Sequence, residues 1–539
     1  MRFKRFLIMS LILVFIVVSF ANTQDKADYE MVSRIWKEGI DHSQVMQILS
    51  YLSDVIGPRI PGSPAIRKAH EWTSNKFKEW GLKNVALEPY GEFGRGWSNE
   101  YISVHLVSPS YQPIIAYSVP WTPSTKGKIR GEPVYVEINS KEELEKHRGN
   151  LKGAIVLTQK PRQAPPTFTP SAIRLNQKDL DELAKTPIPV KPRKEGKPPA
   201  EISWEELEDF FRSEEVAILI QPSDSGRRDY GTVKVDAYDG EGKNHLKPDQ
   251  NPRIVMAAEH YGRIFRIMEH KVPVLLEVEV VNTFYDEDLQ DYNVVAEIPG
   301  TDNKDELVML GAHIDSWASG TGAADNASGC AVVMEAMRIL KELGVKPRRT
   351  IRAALWGAEE HGYFGSRGYI VKHFGDTDKK TLQLADWDAL EKQWRNPLGE
   401  SKTLVVKPDY DKLSAYYNYD NGTGKILGVY LQENHAVRPV FEEWIKPLRD
   451  LGVTTLTISS TYETDHNPFD WMGLPGFQFI QDEIDYMTRI HHTNQDVYDH
   501  CLPEDLIQSA IVMACFVYHT AVREEMLPRK PLPLPCTQQ

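Results

Sequence analysis

Five short stretches of the 539-residue chain hold residue types that could do chemistry. In Gly311-Ala312-His313-Ile314-Asp315-Ser316-Trp317, His313 and Asp315 stand two apart, so in extended chain they face the same side. An imidazole that binds a metal needs its second nitrogen held, commonly by a carboxylate. Taken alone, this triplet is more often a surface His beside an unrelated Asp. Asp325 lies in the glycine-rich approach Gly322–Gly329 to a helical pattern. It would serve as an N-cap, and the approach also lets its carboxylate sit close to a ligand. Asn326-Ala327-Ser328 formally reads as a glycosylation acceptor, a use discounted beside a metal site.

Glu359 and Glu360 follow the apolar run Thr350–Trp356 and precede Gly362 and Gly365. Adjacent side chains diverge, so one can ligate a cation while the other contacts a water on it. A base beside such a water is what peptide hydrolysis needs. Asp420, in Asn418-Tyr419-Asp420-Asn421, and the pair His491-His492 complete the set. The order His-x-Asp, Asp, Glu-Glu, Asp, His supplies five potential ligands and a base. Mixed imidazole and carboxylate donors suit Zn²⁺ and admit Mn²⁺ or Co²⁺. An Asp shared between two donor sets suits two ions about 3.5–4 Å apart.

Such residues need elements to position them. From Tyr292 onward, strands are predicted at Asn293–Ile298, Leu307–Ala312, Thr350–Trp356, Ala415–Tyr419 and Gly476–Ile480. They alternate with helices at roughly 327–343, 365–373, 436–450 and 503–525. That alternation predicts an α/β fold with a mostly parallel sheet, whose working residues collect at the carboxyl ends of its strands. Residues 30–95 read as largely helical, with a turn-rich Ile56–Pro64 and a strand near Val85–Tyr90. Residues 96–284 shift to short β-rich runs. Within them, 160–212 is rich in Pro, Lys and Glu and reads as a partly mobile surface insertion with one short helix, Trp204–Phe211.

Arg2, Lys4 and Arg5 precede an apolar stretch from Leu7 to Phe20, followed by Ala21, Asn22 and Thr23. This is the pattern of a secretory signal peptide, residues 1–21, and places the protein outside the cell or in the periplasm. A membrane anchor is the competing reading, but the stretch is shorter than the about 20 residues that span a bilayer. No other window is read as long and apolar enough to span a membrane. Cys330, Cys501, Cys515 and Cys536 are too irregularly spaced for a zinc ribbon or a disulfide scaffold; export would permit one or two bridges, while Cys330 and Cys515, in helical apolar patterns, read at least as well as buried free thiols.

Composition excludes disordered, collagen-like and coiled-coil classes, since 41% of the residues are apolar and only 26% charged. A net charge of −13 argues against nucleic acid or anionic membrane as a partner.

The motifs resemble those of the co-catalytic dizinc exopeptidases, the family that includes bacterial leucyl aminopeptidases and glutamate carboxypeptidases. The shared stretches are Ile56–Pro64, His313–Trp317, Leu355–Glu360, His491-His492 with Asp496, and Glu525–Arg529. The resemblance covers about 40–95 and 290–527. It implies a three-layer αβα catalytic core in 30–95 and 285–527, an inserted protease-associated domain in 96–284, and a tail, 528–539. It implies one zinc held by His313, Asp325 and Glu360 and another by Asp325, Asp420 and His492. Asp315 would orient His313, Glu359 would be the general base, and His491 would polarise the scissile carbonyl. Short peptides would be the substrates, and a homodimer is compatible with the family. Thr464-Asp465-His466 looks like the aminopeptidase branch, so the end of the peptide attacked stays open. For recognition of a peptide carboxylate, Arg367 and Arg489 lie near the motifs in sequence. A zinc amidohydrolase, a glutaminyl cyclase-like enzyme and a non-catalytic receptor-like protein are the alternatives on the same fold.

Overall fold

A computed structural model describes residues 25–161, 168–186, 201–223, 233–237, 250–383 and 398–538. The expected signal peptide, and residues 162–167 and 187–200 of the expected insertion, lie outside the described residues. Eight strands make the main sheet: β1 (Lys83–Glu92), β2 (Gln290–Ile298), β3 (Asn303–His313), β4 (Arg349–Trp356), β5 (Leu413–Asn418), β6 (Ile426–Tyr430), β7 (Thr455–Thr457) and β8 (Gly476–Gln481). Their order across the sheet is β1-β2-β4-β3-β5-β8-β6-β7. The central β4, β3, β5 and β8 run parallel. The pairs β1–β2, β2–β4 and β8–β6 are antiparallel. A short connection such as 299–302, between β2 and β3, cannot make the long crossover that a parallel step needs, so the sheet is mixed at its flanks.

Strand periodicity assigns the two faces. Val294, Ala296, Val308, Leu310, Ile351, Ala353 and Leu355 enter one core, while Val295, Met309, Ala354 and Trp356 enter the other. The first core is covered by α1 (Tyr29–Asp41), α3 (Ser328–Glu342) and α5 (Pro503–Val522); α2 (Pro64–Glu79) packs beside them. The second face receives α4 (Phe364–His373), whose Tyr369 and Ile370 pack on Met309 and Trp356. Helices on both faces make three layers.

The expectation about membrane-length windows needs correction here. Helix α5 is long and apolar enough to cross a membrane by length and composition, contrary to the reading that no second window qualifies. However, 89% of its apolar window is buried inside the protein, because its Val, Phe and Ala residues meet the core on nearly every side. The four cysteines are unpaired, with Cys330, Cys501 and Cys515 buried.

Between β1 and β2 the chain leaves the main sheet. Gly96–Ser108 and Leu275–Tyr285 pair in a four-stranded sheet, and Pro133–Tyr135, Ile155–Leu157, Ile218–Pro222 and Arg253–Met256 belong to a five-stranded one. Val104, Leu106, Leu276 and Val278 of the first sheet share a core with Ile155, Ile218 and Ile254 of the second. The described part of the charged insertion is not a detached surface segment. Helix Gln177–Lys185 buries Leu180 against Leu427 and Ile480 of the main sheet. Arg174 pairs with the buried Asp482 and Asp505. Leu180 and Leu183 recur at helical spacing, an apolar stripe that the surrounding Lys and Glu obscure in sequence.

Candidate metal centre

The five expected donors converge at the carboxyl ends of the parallel strands. His313 is the last residue of β3, paired on one side with β4 and on the other with β5. Its Nε2 lies 3.2 Å from Asp325 Oδ1 and 3.6 Å from Asp420 Oδ1. On the other side of Asp325, His492 Nε2 lies 3.5 Å from Asp325 Oδ2 and 2.9 Å from Glu360 Oε2. Asp325 therefore stands between two imidazole–carboxylate sets. The sorting differs from the expected one: His313 goes with Asp420, and His492 with Glu360. Sequence order cannot say which strand ends face each other. The turn after β4, with Ala358 at φ 52°, carries Glu360 toward His492.

Second contacts hold these donors. His313 Nδ1 lies 3.2 Å from the Asp315 carbonyl and 3.6 Å from its carboxylate. A proton on Nδ1 leaves the Nε2 lone pair facing Asp325 and Asp420, as a metal ligand requires. The Asp315 carboxylate also accepts the amides of Glu359 and Glu360 at 3.0 and 3.3 Å, so one side chain sets both loops. Burial pushes its pKa up, but His313 and His361 hold it well below the carboxylate range.

Burial raises Glu359 and Glu360 well above the ordinary Glu value, and neighbouring carboxylates push the same way. Burial disfavours a charged His313 ring, yet Asp420, Asp315 and Asp325 raise its pKa. Carboxylates thus outnumber the positive charges available to them. Asp325 Oδ2 and Glu360 Oε1 are buried without a hydrogen-bond partner. Orphaned oxygens beside imidazole nitrogens, in a cluster short of positive charge, fit a divalent cation and suit zinc by donor type.

His491 also reaches the cluster, its Nε2 4.0 Å from Asp325 Oδ2 and its ring stacked on His492 with centroids 3.6 Å apart. Unlike His492, it is not paired with Glu360. Arg367 is buried, donating to the carbonyls of Thr381 and Gly362, which makes it a structural group. Asp465 lies buried with Ser366 Oγ donating to it at 2.5 Å, and burial pushes its pKa up to about 8. Asn326 is fully buried, its amide donating to Tyr419 O and its oxygen accepting Gly329 N. That burial agrees with discounting it as a glycosylation acceptor.

Three supporting residues were not assigned roles from sequence. Arg59, buried in the Ile56–Pro64 turn, donates to the carbonyls of Ile314, Gly57, Thr321 and Gly322 at 2.6–3.0 Å. It clamps the segments on either side of Asp315 and Asp325. Gly322 allows this approach: it sits at φ 63°, and a Cβ there would lie 2.3 Å from Ser316 Cβ. Asp496 accepts the amides of Ala324 and Asp325 at 2.6 and 3.2 Å. The Trp317 indole donates to Glu360 Oε2 at 2.8 Å. A lone Arg in a turn reads as solvated, and only the recurrence of its whole turn in the resembling family marked it.

Residues 293–517 match the profile of Peptidase family M28, and the chain is similar to members of that family. It is a hydrolase of the metallopeptidase class. Human carboxypeptidase Q is 25% identical over 483 residues, covering 89% of this chain and 86% of that one. Leupeptin-inactivating enzyme 1 of Streptomyces exfoliatus is 29% identical over 197 residues, 36% of this chain and 37% of its own. A peptidase M28 precursor from Shewanella amazonensis shares the fold with a TM-score of 0.62 at 22% identity, covering 94% of this chain and 98% of that one. A zinc aminopeptidase from Bacillus subtilis does so with 0.53 at 17% identity, covering 90% and 97%.

Proposed function

We propose that the protein is a secreted zinc exopeptidase that hydrolyses short peptides. The carrying observation is Asp325 standing between the His313–Asp420 and Glu360–His492 sets, with Glu359 beside them. One zinc would be held by His313, Asp325 and Asp420, and a second by Asp325, Glu360 and His492. Zinc, when bound, supplies Lewis acidity toward a peptide carbonyl and makes water more acidic.

The protein's own residues would do the rest. Glu359, its amide fixed by Asp315, takes a proton from the attacking water and passes it to the leaving amine. His491, on the open side of the cluster, donates to the scissile carbonyl oxygen as negative charge develops there. Asp315, Asp496 and Arg59 hold the loops so that this geometry exists before substrate arrives. Export is supported by the charged head and apolar stretch of residues 1–21. We read the β-rich unit between β1 and β2 as a protease-associated domain.

The test is hydrolysis of short peptides that are free, N-acetylated or C-amidated, with and without a chelator. Cleavage should vanish with the chelator and return with Zn²⁺, and the blocked termini report which end is attacked. No cleavage of any peptide by zinc-loaded protein, together with cyclisation of N-terminal glutamine, would overturn the reading.

A further inference from the structure

We infer that the unit inserted between β1 and β2 is a working part of the metal centre, because two of its segments position the loop carrying His491 and His492. The inference rests on the proposed ligand role of His492.

That loop leaves β8 at Gln481 and reaches the histidines after about ten residues of chain. Along one side lie residues 171–175 of the inserted unit. Leu175 N donates to Asp482 Oδ1 at 2.7 Å, and Arg174 Nη1 bridges Asp482 and Asp505 at 2.7 and 2.8 Å. Ile173 N donates to Ile484 O at 2.9 Å, and Thr488 Oγ1 donates to Ser171 O at 2.7 Å. Along the other side lie residues 233–237. Val235 and Asn494 exchange two bonds, Asn494 N to Val235 O at 2.9 Å and Val235 N to Asn494 Oδ1 at 2.7 Å. Lys234 Nζ donates to Thr488 O at 3.4 Å, and Ala237 N donates to Ser319 Oγ at 3.0 Å, two residues beyond Trp317.

The peptidase unit also holds this loop, at positions further from the histidines than Thr488 and Asn494. Asp482 N donates to Lys425 O at 3.0 Å, and Asp496 accepts the amides of Ala324 and Asp325 at 2.6 and 3.2 Å, whereas the Asp485–His500 pair at 3.0 Å joins two points of the loop's own segment. Directly before the histidines, at Thr488, and directly after them, at Asn494, the bonds run to the inserted unit. This support has something to hold. His492 sits at φ 60°, a backbone state that residues with a Cβ rarely adopt and that persists where the surroundings enforce it. Arg174 and Thr488 are thus positioning residues acting on His492 through its loop.

The experiment uses the full-length protein loaded with Zn²⁺ and the variants Thr488→Val, Arg174→Ala and Arg174→Lys. Hydrogen exchange and the rate of zinc release to a chelator are followed for each. Thr488→Val keeps the side-chain shape and removes the hydroxyl, which donates to Ser171 O at 2.7 Å and also reaches Asp485 O of its own loop at 3.1 Å. We expect amides in 482–494 to exchange about tenfold faster in Thr488→Val and Arg174→Ala. We expect one of the two zincs to be released faster, kcat to fall more than KM rises, and Arg174→Lys to recover part of each effect. Exchange in helix Trp204–Ser213 should not change, which separates local loosening from unfolding of the inserted unit. Unchanged exchange in 482–494 for both Thr488→Val and Arg174→Ala would overturn the inference. Faster exchange with unchanged zinc release would uphold the positioning and remove the ligand role of His492 instead.

Discussion

The two donor sets that meet at Asp325 are built differently. His313 and Asp420 stand at the ends of strands buried in the middle of the sheet, and His313 is 1% exposed. The ladders on both sides of β3 leave that imidazole little freedom. His492 belongs to a loop, and its side chain is 19% exposed. It reaches Glu360 and Asp325 through a turn at positive φ, held by bonds from residues more than two hundred positions away. One set is as rigid as the core, while the other depends on stitches that each contribute about 1 kcal/mol. The difference teaches that a site with one donor inventory can have one half set by secondary structure and the other by distant segments.

The largest effect is expected where both halves serve a single group. Glu359→Ala should lower turnover about 10³-fold, roughly 4 kcal/mol, while the zinc content stays that of the parent. Elemental analysis beside a peptide assay checks this, and turnover within tenfold of the parent would remove Glu359 from the role of base.

Arg59→Leu tests the strand-borne half. It would strip the donor from the carbonyls of Ile314, Thr321 and Gly322, which flank Asp315 and Asp325, and from that of Gly57 in its own turn. A loss of about 3 kcal/mol in urea denaturation is expected. Arg174→Ala should loosen only the loop-borne half, so exchange at 314–325 should rise for Arg59→Leu alone. Equal exchange profiles for the two variants would erase the distinction.

The smallest effect is expected at the edge of the sheet, away from both sets. Glu88 on β1 accepts Lys372 at 2.9 Å and His373 at 2.8 Å. Burial opposes its ionisation, yet these partners bring its pKa down to about 2. A depressed carboxylate stabilises the fold above its unfolded pKa, near 4.5, and that contribution disappears as pH falls toward 2. Glu88→Gln should therefore cost about 1 kcal/mol at pH 6, allowing for solvent screening, and less at pH 3. Denaturation at the two pH values measures it; an equal or larger cost at pH 3 would contradict the sign.

Much of this was legible in the chain. The apolar runs ending at Ala312 and Trp356 read as buried strands because both faces of the sheet are covered, and the donors follow them directly. Strands β6 and β7 were not anticipated; Thr455-Leu456-Thr457 is too short to show a period. Arg59 and the 171–175 segment were missed as supports for a different reason. Their residue types, an Arg in a turn and a run amid Lys and Glu, are those of solvated surface until a partner far along the chain covers them.

The sequence by itself determined the donor inventory, the strand-end placement and the family resemblance, because these follow from residue type, spacing, local periodicity and motif. Only the tertiary structure decided that His313 goes with Asp420 and His492 with Glu360, that α5 is a core helix, and that the inserted unit reaches the histidine loop. Each of these depends on which strand ends and surfaces become neighbours. That is set by the order β4-β3-β5-β8 and by long-range burial, neither of which leaves a periodic trace along the chain.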